Sequence, residues 1–151
     1  MGACVGVAAA ALMAAACGND HTAPGRPTYR QQLRQILIPL GSTLVKQTAA
    51  ISRSPTPHLA LIHIARLRSQ LRSGARQLAQ LEPPQRARAP HEQLVGALRQ
   101  LAGELTTLTR PKRNAVRPFA AFAGAITRSS GLAATRVAVE TLRRRGFLRQ
   151  R

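Results

Sequence analysis

The chain has 151 residues, aromatics make up only 3% of them and tryptophan is absent. A core must therefore be assembled from Leu, Ile, Val and Ala, which favours helices over sheet. Its 23 Lys and Arg against five Asp and Glu give a net charge of +18, which leaves little material for paired-carboxylate catalysis and points toward an anionic surface or nucleic acid as partner. Lysine occurs only as Lys46 and Lys112, so arginine supplies nearly all of the charge. Arginine and alanine in excess are what a high-G+C genome imposes. The arginines are also spread along the chain, so much of the basic surface reads as solvated face.

The first segment, Ala3 to Ala16, is mostly alanine and carries no charge. Roughly 14 residues fall short of the about 20 that span a bilayer, but they suit the apolar region of a secretory signal. Cys17 follows the small residues Ala14, Ala15 and Ala16 and precedes the polar run Gly18, Asn19, Asp20 and His21. A cysteine so placed reads as a lipobox: its thiol receives diacylglycerol, and cleavage leaves it first in the mature chain. Ala14 stands where that motif has leucine, Leu12 lies two residues upstream, and the first basic residue is Arg26; the missing n-region charge departs from the motif, and a start assigned too far downstream would explain it. N-myristoylation is disfavoured by Gly6, where Ser or Thr is required. Cys4 leaves with the signal, so stability of the mature domain rests on packing.

The expected organisation is a signal over residues 1–16, a lipidated cysteine and flexible tether over 17–27, and an all-α domain over 28–151. About 134 residues follow Cys17, enough for one core. A first helix from about Thr28 to Ser52 carries Tyr29, Leu33, Ile36, Leu40, Leu44 and Ile51 along one face. Pro39, followed by Gly41, predicts a kink or short break in it. Ser54-Pro55-Thr56-Pro57 stops the chain and restarts it, with Thr56 as cap and Pro57 in the first turn. The second helix runs to about Leu81 with Leu61, Ile64, Leu67, Leu71, Ala75, Leu78 and Leu81 inward. Residues 82–89 are expected as a loop.

A third helix, from near Pro90 to Arg110-Pro111, places Leu94, Leu98, Leu101, Leu105 and Leu108 inward. Asn114 is the expected cap of a fourth, with Pro118 in its first turn and Phe119, Phe122, Ile126, Ala133 and Val137 facing the core. Gly124 and Gly131 weaken it by about 1 kcal/mol each relative to Ala, or serve close helix contact. Gly146 is the expected stop, leaving Phe147 to Arg151 as a tail. Short loops between long helices predict an up-down-up-down four-helix bundle.

Cys17, Tyr29 near the first helix start, Pro39 within that helix, the break Leu81-Glu82-Pro83-Pro84, the opening His91-Glu92-Gln93-Leu94-Val95 and, more loosely, Ser130 with Ala134-Thr135-Arg136 form a pattern over most of the mature chain. In it the chain resembles small, largely uncharacterised lipoproteins of soil actinobacteria. That resemblance implies a helical-bundle fold and a location at the membrane, and no activity.

Nothing in the sequence points to an enzyme or a cofactor. Asp20 lies in the tether and Glu82 in the expected loop, leaving Glu92, Glu104 and Glu140. His58 and His63 are five apart, about 140° around a helix axis and poor partners for one metal. His91 reads as a surface or loop-packing histidine near a helix start. No nucleophile elbow, phosphate-binding loop or Cys/His metal cluster occurs.

The bundle topology carries a functional expectation. A tether of about ten residues reaches at most roughly 35 Å, and the chain end returns to the tethered side. Arg26, Arg30, Arg86, Arg88, Arg143, Arg144, Arg145, Arg149 and Arg151 then gather near the lipid, with Phe147 and Leu148 dipping into headgroups. The leading expectation is a membrane-anchored, extracytoplasmic, non-enzymatic interaction or structural protein. Its partners are membrane lipid through acylated Cys17 and anionic lipids or wall polymers. Two alternatives stand beside it: a basic helical protein associated with nucleic acid in the cytoplasm, and a bundle holding a small ligand in an apolar cavity near Pro39.

Overall fold

The computed structural model describes residues 28–109 and 119–148. Among them the chain is all-α, with five helices and no strand. Cys17 and the rest of residues 1–27 lie outside the described residues, as do the expected stop at Arg110-Pro111, the cap Asn114, Pro118, and Arg149 and Arg151 of the tail.

Helix α1 spans Tyr29–Ser52 and opens on a capping box. The Gln31 N–H donates to Thr28 Oγ1, and the Thr28 N–H donates to Gln31 Oε1 at 2.8 Å, so two main-chain donors at the helix end are satisfied reciprocally. Of the kink or short break expected at Pro39, the break is absent: the helix runs through the proline. Proline in a helix interior costs about 3 kcal/mol. The apolar stripe stays in register on both sides of it, with Leu33 and Ile51 fully buried and Ile36, Leu37, Leu40 and Leu44 packed against the core.

Helix α2, Pro57–Ala79, starts as the sequence predicts: Thr56 Oγ1 accepts from the Leu59 N–H, and Pro57 occupies the first turn. Ile64, Leu67, Leu71, Ala75 and Leu78 are buried. Leu61, expected inward, is exposed, and Ala60 takes the core position in its turn.

Helix α3, Gln85–Leu108, begins five residues earlier than Pro90, so most of 82–89 is helix and not loop. Pro90 lies in the second turn and is buried. It has no N–H to offer the Arg86 carbonyl four residues back, and Arg145 Nη1 fills that place at 2.6 Å. The outside donor satisfies the carbonyl that the proline leaves without an internal partner. Leu94, Leu98, Leu101 and Leu105 form the expected seam. Val95, Ala97 and Ala102 are buried too, because α3 packs against helices on two sides.

The expected fourth helix is two: α4, Phe119–Thr127, and α5, Ser130–Arg144. Ser129 restarts the chain, its Oγ accepting from the Leu132 N–H at 3.2 Å. The restart resets the helical phase. Leu132, Ala138 and Leu142 are buried in α5, whereas Ala133 and Val137, expected inward, are exposed, Val137 by 65%. In α4 Ile126 is buried and Phe122 packs on the core. The end of α5 follows the sequence. Gly146 takes φ +83, and the N–H groups of Gly146 and Phe147 donate to the carbonyls of Arg143 and Leu142 at 2.9 and 3.0 Å, a complete Schellman closure.

The long helices pack in the order α1, α2, α3; α5 lies on the other side of α3, and α4 lies on α1. The α3–α5 contact is the closest. A Cβ built on Gly131 would stand 2.5 Å from the Leu101 nitrogen and 2.7 Å from its Cα, so only glycine permits that approach. No such seam joins α1 to α5; the space between them stays open.

Candidate functional site

Contacts between distant residues bring the start of α1, the start of α3 and the end of α5 to one end of the molecule. Tyr29 stands at their centre. Its hydroxyl and His91 Nδ1 are 3.0 Å apart, and its ring meets His91 and Phe147 edge-on, each with centroids 5.7 Å apart. The Arg30 guanidinium lies over the Phe147 ring at 5.7 Å, within cation–π range. Arg145 reaches across to Arg86 as described above.

Burial sets the chemistry of this cluster. It pushes the Tyr29 phenol up to about 12. Burial also lowers the His91 pKa, against smaller opposing effects of a hydrogen bond to the Leu78 backbone and the Glu92 charge. His91 is 4% exposed: because α3 begins at Gln85 it lies in the second turn, packed inward and not at the surface. With its pKa lowered, the His91 ring favours the neutral form at neutral pH, and the Tyr29 phenol keeps its proton.

The candidate membrane-contact residues divide by position. Arg143 and Arg144 are exposed, and their contacts to Glu140, at 3.9 and 3.0 Å, are surface pairs of small energetic weight. Arg145 is exposed but tied to Arg86. Phe147 and Leu148, expected to dip into headgroups, are instead half-buried against the core: the turn at Gly146 folds them back, where Tyr29 and the neighbouring helices cover them. Of these candidates, Arg143, Arg144 and Arg145 face outward.

Beside it, the open α1–α5 seam forms a groove of about 340 Å³. Leu37, Ile38, Leu40 and Leu44 of α1, Val139 of α5 and Leu148 line its walls, and Leu71, Leu98 and Leu101 reach it from α2 and α3. Arg34, Thr135 and Arg143 are its polar members. The groove lies along the stretch of α1 that contains Pro39, where a cavity was one of the expectations. Its charged residues carried no signal in the sequence, since Arg34 and Arg143 come together only through the packing of the first and last helices.

A third constellation, also without a sequence signal, surrounds Glu104 of α3. Its carboxylate accepts a short hydrogen bond from Ser130 Oγ, with others from Gln100 Nε2 and the Gly131 N–H, both at 3.1 Å. Burial pushes this carboxyl up, but the bonds from Ser130, Gln100, Gly131 and Ser129 outweigh it and hold the pKa below the usual carboxylate value. A negative charge at the N-terminus of α5 also complements the helix dipole. Glu104 therefore caps α5 from a neighbouring helix.

Elsewhere, His63 Nδ1 pairs with Gln47 Oε1 at 2.8 Å and His58 is exposed. Among the described residues no three His, Cys, Asp or Glu side chains gather as a metal site, and no helix is long and apolar enough to cross a membrane. No protein-family model, curated protein or solved structure matches the chain.

Proposed function

We propose that the chain is an envelope lipoprotein with no catalytic role. Acylated Cys17 holds it at the outer face of the cell membrane, and its helices form an up-down-up-down bundle in which α4 and α5 together make the fourth member. This agrees with the resemblance to small actinobacterial lipoproteins. The bundle rests its basic end on anionic lipid or wall polymer and serves as an interaction or structural element there.

One observation supports the reading above the others. Segment 17–27 joins the helices at Thr28, and Arg30, Arg86, Arg143, Arg144 and Arg145 belong to that same end through the contacts of Tyr29 with Phe147 and of Arg145 with Arg86. Each basic side chain near an anionic leaflet contributes about 1 kcal/mol, in addition to the two acyl chains of the diacylglyceryl anchor, and turns the basic end toward the surface.

Vesicle co-sedimentation of the full chain carrying Cys17→Ser tests the electrostatic part. Binding to phosphatidylglycerol vesicles exceeds binding to phosphatidylcholine, falls with salt, and drops when Arg143, Arg144, Arg149 and Arg151 become Gln. Equal binding to both vesicle types contradicts the reading. Tighter binding to duplex DNA than to anionic vesicles at the same salt replaces it with a nucleic-acid role.

A further inference from the structure

We infer that the α1–α5 groove binds a free fatty carboxylate, with the alkyl chain along the groove and the carboxylate between Arg34 and Arg143. The inference rests on the groove alone and is independent of membrane anchoring.

The shape is that of a slot for a chain. Arg34 to Leu44 is ten residues of helix, about 15 Å at about 1.5 Å each. The lining over that length is aliphatic. A volume of about 340 Å³ lies at the low end of the roughly 300–1,000 Å³ typical of small-molecule sites.

The polar groups select the head. Thr135 lines the groove, but its hydroxyl already donates to the Gly131 carbonyl at 2.7 Å. Arg34 and Arg143 are what remains, and no acidic residue lines the groove. Arg143 meets Glu140 only at 3.9 Å, with both side chains largely in solvent, so its guanidinium is available to a ligand. The two arginines stand at the same end. Arg34 is five residues beyond Tyr29 and Arg143 four before Phe147, and Tyr29 and Phe147 are in ring contact. Two cations at one mouth and hydrocarbon beyond it match an anionic head on an unbranched tail. They reject a cationic amphiphile by the same charge.

Gly41 provides the test. It lines the groove, and a Cβ added there meets nothing within 4 Å. The Cβ of a leucine has room at this position, its side chain extends into the slot, and leucine is the better helix former by about 1 kcal/mol, so Gly41→Leu is expected to melt at or above the parent temperature. Gly103 on α3 is equally open but does not line the groove, and Gly103→Leu is the control.

Titration calorimetry of the full chain with dodecanoate, below its micelle concentration and without vesicles, reads the site. The expected result is saturable binding of one dodecanoate per chain. It weakens at least about tenfold in Gly41→Leu and in the Arg34→Gln, Arg143→Gln double variant, and Gly103→Leu leaves it unchanged. Dodecyltrimethylammonium binds at least about tenfold more weakly than dodecanoate to the parent, and that preference disappears in the double variant. Undiminished dodecanoate binding by Gly41→Leu overturns the inference, as does equal binding of the cationic amphiphile. A dimer in sedimentation velocity that Gly41→Leu abolishes also overturns it, because the groove's occupant is then a second copy of the chain.

Discussion

Arg145 donates a hydrogen bond of 2.6 Å to the main-chain oxygen of Arg86, the carbonyl that Pro90 is unable to serve. The last turn of α5 thus completes the first turns of α3, across 59 residues of sequence. Arg145→Met is expected to cost about 1–2 kcal/mol in denaturant unfolding. Pro90→Ala restores an internal N–H for Arg86, so the same substitution costs less in that background. A double-mutant cycle with a coupling of about 0.5 kcal/mol or more is the expected result; additive effects would show that Arg145 does not act through Arg86.

Gly131 is the tightest point of the core. Alanine there drives its Cβ into the Leu101 backbone, and backbone, unlike a side-chain tip, does not rotate away. Gly131→Ala is expected to destabilise by about 1–3 kcal/mol or more, although alanine is the better helix former. Gly96→Ala, where the added Cβ meets nothing, is expected to be neutral or stabilising. Equal midpoints for the two variants would exclude the close α3–α5 approach.

Glu104 ties the start of α5 to α3. Glu104→Gln keeps the size and loses the charge, and is expected to cost about 0.5–2 kcal/mol at neutral pH. The carboxyl is more acidic folded than unfolded, so its contribution is present above the unfolded value of 4.5 and is lost as pH falls through the lower folded value. The gap between parent and variant therefore closes in acid. A gap that persists unchanged at pH 3 would show that the charge is not the cause.

His91 and Tyr29 give the basic end a pH signature. His91 is neutral when folded and titrates at an ordinary 6.5 when unfolded, so the unfolded chain takes up protons first as pH falls. Stability is full above 6.5 and declines below it, toward the lower folded pKa. Melting temperature is expected to drop between pH 7.5 and 5.5, and to drop less in His91→Phe. Tyr29 is the only tyrosine, so phenolate absorbance reports it alone: it rises near 12 in the folded chain and near the ordinary value of about 10 once unfolded. A folded-state titration near 10 would mean that the ring is not buried.

Local chemistry made much of the fold readable. Thr56-Pro57 announces a helix start, Gly146 a stop, and the Leu seams of α2 and α3 their buried faces. The misreadings have local causes as well. The third helix is expected to start near Pro90, but it begins at Gln85, and a donor 55 residues beyond the proline, Arg145, serves the Arg86 carbonyl that Pro90 leaves without an N–H. The seam from Phe122 and Ile126 was carried through Arg128-Ser129 as if the helix were continuous; Ser129 restarts it, and Val137 turns outward. A cavity near Pro39 is legible as an alternative, but nothing local marks the groove's wall on α5. The groove exists because α1 and α5 fail to close on each other, and Arg34 and Arg143 line it together through that packing.

The central claim is attachment through Cys17, and the N-terminal peptide of the chain recovered from the membrane fraction of an actinobacterial host tests it most directly. Trypsin does not cut the Arg26–Pro27 bond, so the peptide of interest runs from Cys17 to Arg30. Mass spectrometry is predicted to find it beginning at Cys17 and carrying a diacylglyceryl modification on the thiol. A peptide that still contains Met1–Ala16, or one with an unmodified Cys17 from chain in the soluble fraction, would contradict the account.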